Sequence, residues 1–182
     1  MQKLFEPDYG VNLSRLQIPV NPYEAFRCDV PNLSTSLYFV VNDMFYRQDT
    51  PKGHLPEGVV IGSLNELSSG HTPHAALLEK YYARLAKTSE DAVTALNTML
   101  AQDGLLVYVP KNVKVDRAIQ VINILKATPQ NAQRVVPDLM VNRRVLIILE
   151  EGAEVKMLFC DHAADDRNFL ATQVIEAYVG EN

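Results

Sequence analysis

Clustered positive charge is missing from this 182-residue chain. Its 17 Lys and Arg are scattered, 22 Asp and Glu outnumber them, and the net charge is −5. A nucleic-acid footprint needs basic residues gathered on one face, so no nucleic-acid partner is expected. Long apolar runs are missing too: none approaches the roughly 20 residues of a membrane span. The opening residues, Met1 to Pro7, lack the apolar core of a signal peptide. Cysteine is scarce. Cys28 and Cys160 stand far apart and make no disulfide framework, so the expectation is a cytosolic protein with reduced thiols and no membrane partner. Phosphate-loop, nucleophile-elbow and Cys-x-x-Cys motifs do not occur.

What is present is an ordinary folding composition, 47% hydrophobic and 21% charged, enough for one domain with a real core. Residues 1–35 read as irregular, spaced by Pro7, Pro19, Pro22 and Pro31. Ser36 to Arg47 reads as a hairpin, with Asn42-Asp43 at the turn because both tolerate left-handed backbone. Asp43 is expected to matter for the comfort of that turn and little else. Gly58 precedes a short strand, Val59 to Ile61. Two helices should follow. The first is capped by Thr72 with Pro73 at its first position and carries Leu78, Tyr81, Tyr82 and Leu85 at helical spacing. The second opens on a Thr88–Asp91 capping pair, buries Ala92, Leu96, Met99 and Leu100, and stops before Gly104.

After Gly104 the period changes. Short β runs follow: Leu105–Val109, Ile119–Leu125, Arg144–Leu149, Glu154–Asp161 and Leu170–Val179. Several are apolar at consecutive positions, as strands buried on both faces are. No helical pattern of crossover length lies between them, which argues against βαβ units. The joints at Pro110-Lys-Asn and Glu151-Gly152 are rich in turn formers and fit stacked coils.

Few side chains gather in a pattern that carries chemistry. Cys160-Asp161-His162 offers a thiol and an imidazole two residues apart, hence on one side of a strand. Two ligands fall short of the four that zinc or a cluster takes, so Cys160 and His162 are weak metal candidates. The simpler reading is a half-buried cysteine at a strand end, with Asp161 and His162 in the turn. His71 and His74 are spaced by three across Thr72-Pro73, where a helical metal pair prefers four. His54 lies in a Pro- and Gly-flanked loop. Asp161, Asp165, Asp166 and Arg167 make an acidic turn without the glycine and distal Glu of a calcium loop. Arg143-Arg144 reads as a solvated strand start, and Tyr81-Tyr82 as a core-and-rim pair. No catalytic, cofactor-binding or metal residue is assigned.

Three stretches resemble a known family. Ala95-Leu-Asn-Thr-Met-Leu-Ala-Gln-Asp-Gly-Leu-Leu-Val-Tyr-Val-Pro-Lys-Asn-Val113, with Leu55-Pro-Glu-Gly-Val-Val-Ile-Gly62 upstream and Asn142-Arg-Arg-Val-Leu-Ile-Ile-Leu-Glu-Glu-Gly-Ala153 downstream, is similar to the iron–sulfur cluster assembly scaffolds of the SUF system, more to the SufD-like subunit than to its SufB-like paralogue. The resemblance implies a mainly β fold with a small helical part: a partial right-handed parallel β-helix, residues 104–182, after an N-terminal region, 1–103, holding the hairpin and helices. It further implies a fragment with further coils beyond it, partnership with a SufB-like paralogue and a SufC-like ATPase in a SufBCD complex, a cytoplasmic location and a non-catalytic scaffold role. The iron–sulfur cluster is then handled by the full complex, with no cofactor in this chain. The uncapped last run, Thr172–Val179, is expected to drive self-association. The competing function is an independent β-helix enzyme, an acyltransferase or polysaccharide lyase. It is disfavoured by irregular β runs and the lack of a signal peptide.

Overall fold

The structure, a computed structural model, describes residues 35–46, 55–69, 72–126, 139–164 and 168–181. The proline-spaced start, Cys28, His54, His71 and the Asp165–Arg167 stretch lie outside the described residues. The chain is mainly β, with few helices. β1 (Thr35–Val41) turns through Asn42-Asp43 into β2 (Met44–Tyr46), as the hairpin pattern anticipated. Asn42 takes the left-handed backbone at φ 57°. Then come β3 (Val60–Ser63), α1 (Leu64–Ser68), α2 (Ala75–Tyr81) and α3 (Ala92–Leu100). Five longer strands close the order: β4 (Leu105–Val109), β5 (Ala118–Leu125), β6 (Leu139–Leu149), β7 (Met157–Ala163) and β8 (Phe169–Val179).

These strands form two mixed four-stranded sheets, ordered β2-β1-β5-β7 and β3-β4-β6-β8. After β4 each strand joins the opposite sheet from its predecessor, and β6, β7 and β8 each pair in parallel with the strand two before. Strands from before and after Gly104 share both sheets: β1 pairs with β5 in parallel, and β3 with β4 antiparallel. Parallel register stacks like on like. Leu105, Val145 and Ile175 form one column; Val109, Leu149 and Val179 form another.

The columns face a core between the sheets, where Leu105, Val107, Val109, Ile119 and Val121 are fully buried. Leu106, Leu146 and Ile148 point the other way, into a second cluster under α1 and α2 with Leu64 and Leu78. Phe39, Val41, Ile122 and Ile124 form a third on the far side of the first sheet. The consecutive apolar runs are thus strands buried on both faces. The joints also stack. The turn at Pro110–Val113 lies against that at Glu150–Ala153, tied by Asn112 N–H donating to the Glu151 carbonyl (2.8 Å). Lys111–Glu151 and Lys114–Glu154 ion pairs run along this surface, exposed and worth at most about 1 kcal/mol each.

The helices depart from expectation. Thr72 caps nothing: its hydroxyl donates to the Leu67 carbonyl (2.8 Å), and α2 begins at Ala75 behind His74. That extra turn holds α2 against α1, a short helix the sequence pattern did not reveal. The second cap is Asp91 rather than Thr88; its carboxylate accepts from the Thr94 N–H. α3 also shows its other side to the sheet. Asn97 is fully buried, whereas Met99 is 68% exposed and Val93 54% exposed. Leu85, expected on the buried face of α2, lies beyond its end and is exposed.

Candidate functional site

β6 carries the two most consequential side chains, Arg143 and Arg144. Successive residues of a strand point to opposite faces, so Arg143 enters the space between the sheets and Arg144 the space under the helices. Both are buried, which corrects the expectation of a solvated strand start.

Arg144 Nη2 donates to Glu176 Oε2 of β8 at 2.8 Å, both side chains being at most 2% exposed. Arg144 Nη1 donates to Thr98 Oγ1 (3.1 Å), and the guanidinium lies over the Tyr82 ring at 4.9 Å. Glu176 also accepts from the backbone N–H of Ala83 (2.8 Å), Leu85 (2.8 Å) and Ala86 (3.0 Å). One ion pair therefore fixes the segment after α2, the side of α3 and the last two strands of the second sheet. The Tyr pair belongs to this clamp. Tyr81 packs on Tyr178 at 4.5 Å, and the Tyr178 hydroxyl donates to the Tyr81 carbonyl (2.9 Å).

On the inner face, Arg143 Nε donates to the Asn42 carbonyl (3.1 Å) and Nη1 to Asp161 of β7. Burial pushes its ionisation below the ordinary arginine range; Asp161 and Asp43 pull it back up. Asp43 is itself buried. Loss of hydration pushes its carboxyl up to about 6, aided by Asp103, against the pull of backbone N–H groups and Arg143. It is therefore more than a turn-former. Beside it, Asp103 accepts from Ser63 Oγ (2.7 Å), Asn65 N–H (3.0 Å) and Phe45 N–H (2.9 Å), joining the hairpin, α1 and the entry to β4.

Cys160 and His162 lie within β7, opposite Ile122 and Ile124, with Asp161 between them on the Arg143 side. None of the three is in a turn. Cys160 is disulfide-bonded, which corrects the expectation of a reduced thiol, and Gln120 Nε2 approaches its sulfur at 3.5 Å. Among the described residues no three His, Cys, Asp or Glu side chains gather to hold a metal ion. His74 stacks edge-on against Tyr108 at 6.0 Å. A groove of about 350 Å³ opens between α1, α2 and residues 101–103, lined by Leu64, Ser68, Leu78, Glu79, Gln102 and Asp103.

The exposed chemistry lies at the sheet edges. β8 is an eleven-residue edge strand whose only charged residue, Glu176, is consumed by Arg144. Leu170, Ile175 and Val179 are 59%, 44% and 67% exposed. Edges of stable monomers are guarded by charge, proline, bulges or a cover; β8 has neither exposed charge nor proline. Its Ile175 and Val179 continue the core columns into solvent. This arrangement can accept another strand. The arginine pair was missed in the sequence because its partners lie 18 and 32 residues on, at Asp161 and Glu176. The available signal was two adjacent charges at the head of an apolar run, which a strand reaching back to Leu139 takes inside.

The family model describing the N-terminal region of SufBD proteins matches residues 1–121. The iron–sulfur cluster assembly SufBD family protein ABCI9 of Arabidopsis thaliana is 27% identical over 125 residues, 68% of this chain and 24% of its own length. The family protein ABCI8 of the same plant, named chloroplastic, is 28% identical over 125 residues, 68% of this chain and 20% of its own. The iron–sulfur cluster assembly protein SufD of Bacillus subtilis is 26% identical over 120 residues, covering 62% of this chain and 25% of its own length. The matched part of the chain thus spans a quarter or less of these relatives.

Proposed function

The chain belongs to the SufB/SufD family, and from that premise we propose that it is a non-catalytic scaffold component of iron–sulfur cluster assembly. It works with a SufB-like paralogue and a SufC-like ATPase in a SufBCD-type complex in the cytoplasm. The nascent cluster is cargo of the whole complex, and no residue of this chain is assigned to chemistry on it. The alternating sheets are the first coils of a right-handed parallel β-helix, from residue 104 onward, on which the hairpin and helices of 1–103 are mounted. Among the described residues no helix is long and apolar enough to cross a membrane.

The observation that carries this reading is the uncharged edge of β8, where the core columns end in exposed Ile175 and Val179. A scaffold works by pairing, and this edge offers the outward backbone groups of an eleven-residue strand beside exposed Ile175 and Val179. A second copy of the same edge can cover it, since symmetric pairing is the commonest solution. The competing enzyme reading draws no support from the relatives, which are named for cluster assembly.

The test is co-expression of the tagged chain with the SufB-like and SufC-like proteins of its own genome, followed by anaerobic supply of iron and sulfide. All three should co-elute, with sulfur-to-iron charge-transfer bands in the shared peak. Elution of the tagged chain apart from a SufB–SufC complex that acquires the same bands without it contradicts the proposal.

A further inference from the structure

Two aspartates act on Arg143, and they differ in exposure. Asp161, on the edge strand β7, has a side chain 62% exposed and is ion-paired to Nη1. Asp43, in the β1–β2 turn, is only 4% exposed. Among the described residues its Oδ2 has no hydrogen-bond partner, and neither does Arg143 Nη2. Two charged groups act on Asp43: Asp103, from the segment between α3 and β4, and Arg143, from β6. Asp103 is fully committed to Ser63, Asn65 and Phe45. Arg143 Nε is anchored on the Asn42 carbonyl, one residue from Asp43, so the guanidinium is tethered at the turn while its outer nitrogens remain to be shared.

We propose that Arg143 is a shared cation coupling Asp161 on the β7 edge to the hairpin turn: when Asp161 is neutralised, the guanidinium passes to Asp43. Asp161 claims Arg143 from the solvent side. Water screens it, whereas Asp43 lies in a medium where a paired charge gains more. While Asp161 holds Arg143, Asp43 keeps much of its burial penalty, in line with a carboxyl pushed up to about 6. The hairpin turn therefore senses, through one side chain, the charge on Asp161 at the edge of the first sheet. By reciprocity, the charge on Asp43 biases how firmly Asp161 is held at that edge. This inference does not depend on the iron–sulfur reading.

The experiment follows the side-chain carboxyl carbon of Asp43 by NMR through a pH titration of the whole chain, wild type against Asp161→Asn. Asp161 is exposed, so the variant should fold. The expected result is a rise of threefold or more in the acidity of Asp43; a change below threefold overturns the proposal. Simple relief of repulsion between the two carboxylates is separated by repeating the comparison in an Arg143→Gln background. There the effect of Asp161→Asn should vanish, and its persistence overturns the relay. Should Arg143→Gln not fold, the guanidinium ¹⁵N resonances of Arg143 serve instead. They should respond to Asp43→Asn in the Asp161→Asn chain, and indifference there overturns the proposal.

Discussion

Glu176 shares two oxygens among Arg144 and three backbone N–H groups, all out of water. Removing it strands a buried cation and leaves three donors unpaired. Breaking a buried pair from one side costs about 3–5 kcal/mol. Glu176→Leu should therefore lower unfolding free energy by about that much in urea denaturation. Asp43 works in the opposite sense. Its folded ionisation lies near 6, above the ordinary value of 3.8, so the folded chain holds a proton that the unfolded chain releases. That stabilisation is complete below about pH 4 and lost as pH rises through 6, amounting to about 3 kcal/mol at 1.36 kcal/mol per pH unit. Asp43→Asn should flatten this fall. The difference in stability between variant and wild type, measured by denaturation from pH 4 to pH 7.5, should move in favour of the variant as pH rises.

At the level of elements, α3 shows where pattern and packing part. A helical stripe of Ala92, Leu96, Met99 and Leu100 is legible in the sequence, yet the sheet takes the side bearing Asn97 and Thr98. Asn97 Nδ2 donates to the Arg143 carbonyl (3.1 Å) and Thr172 Oγ1 (2.9 Å), partners 46 and 75 residues away. No local spacing encodes such partners. The β runs were legible because burial on both faces writes itself as consecutive apolar residues, and the hairpin because its turn residues are local. Arg143 and Arg144 escape a local reading for the reason Asn97 does: their compensation comes from distant strands. Met99→Lys should accordingly change stability by no more than about 0.5 kcal/mol. Asn97→Leu should cost about 1–3 kcal/mol through the polar groups it abandons, both read in the same denaturation assay. Gly104 permits the close approach of the entry to β4 against β6 and α1. A Cβ there would meet the Arg144 carbonyl oxygen at 2.4 Å and Leu64 Cδ1 at 2.6 Å. Gly104→Ala should lower the unfolding free energy by about 1–3 kcal/mol, the usual penalty of overpacking.

Over the whole molecule, five charged side chains among the described residues are buried, Asp43, Asp103, Arg143, Arg144 and Glu176, and the contacts they make tie helices and hairpin to the sheets. The second sheet ends on β8, which exposes no charged side chain. Exposed apolar area is worth about 25 cal/mol per Å² once covered, so this edge is where association gains most. That is the behaviour expected of the scaffold role proposed above. The most direct measurement is sedimentation equilibrium of the chain at high micromolar concentration, alone and with Ile175→Lys and Val179→Lys together. The account predicts self-association of the wild-type chain that the two lysines abolish while leaving the fold intact by circular dichroism. A wild-type chain that stays strictly monomeric, or an association that survives both lysines, contradicts it.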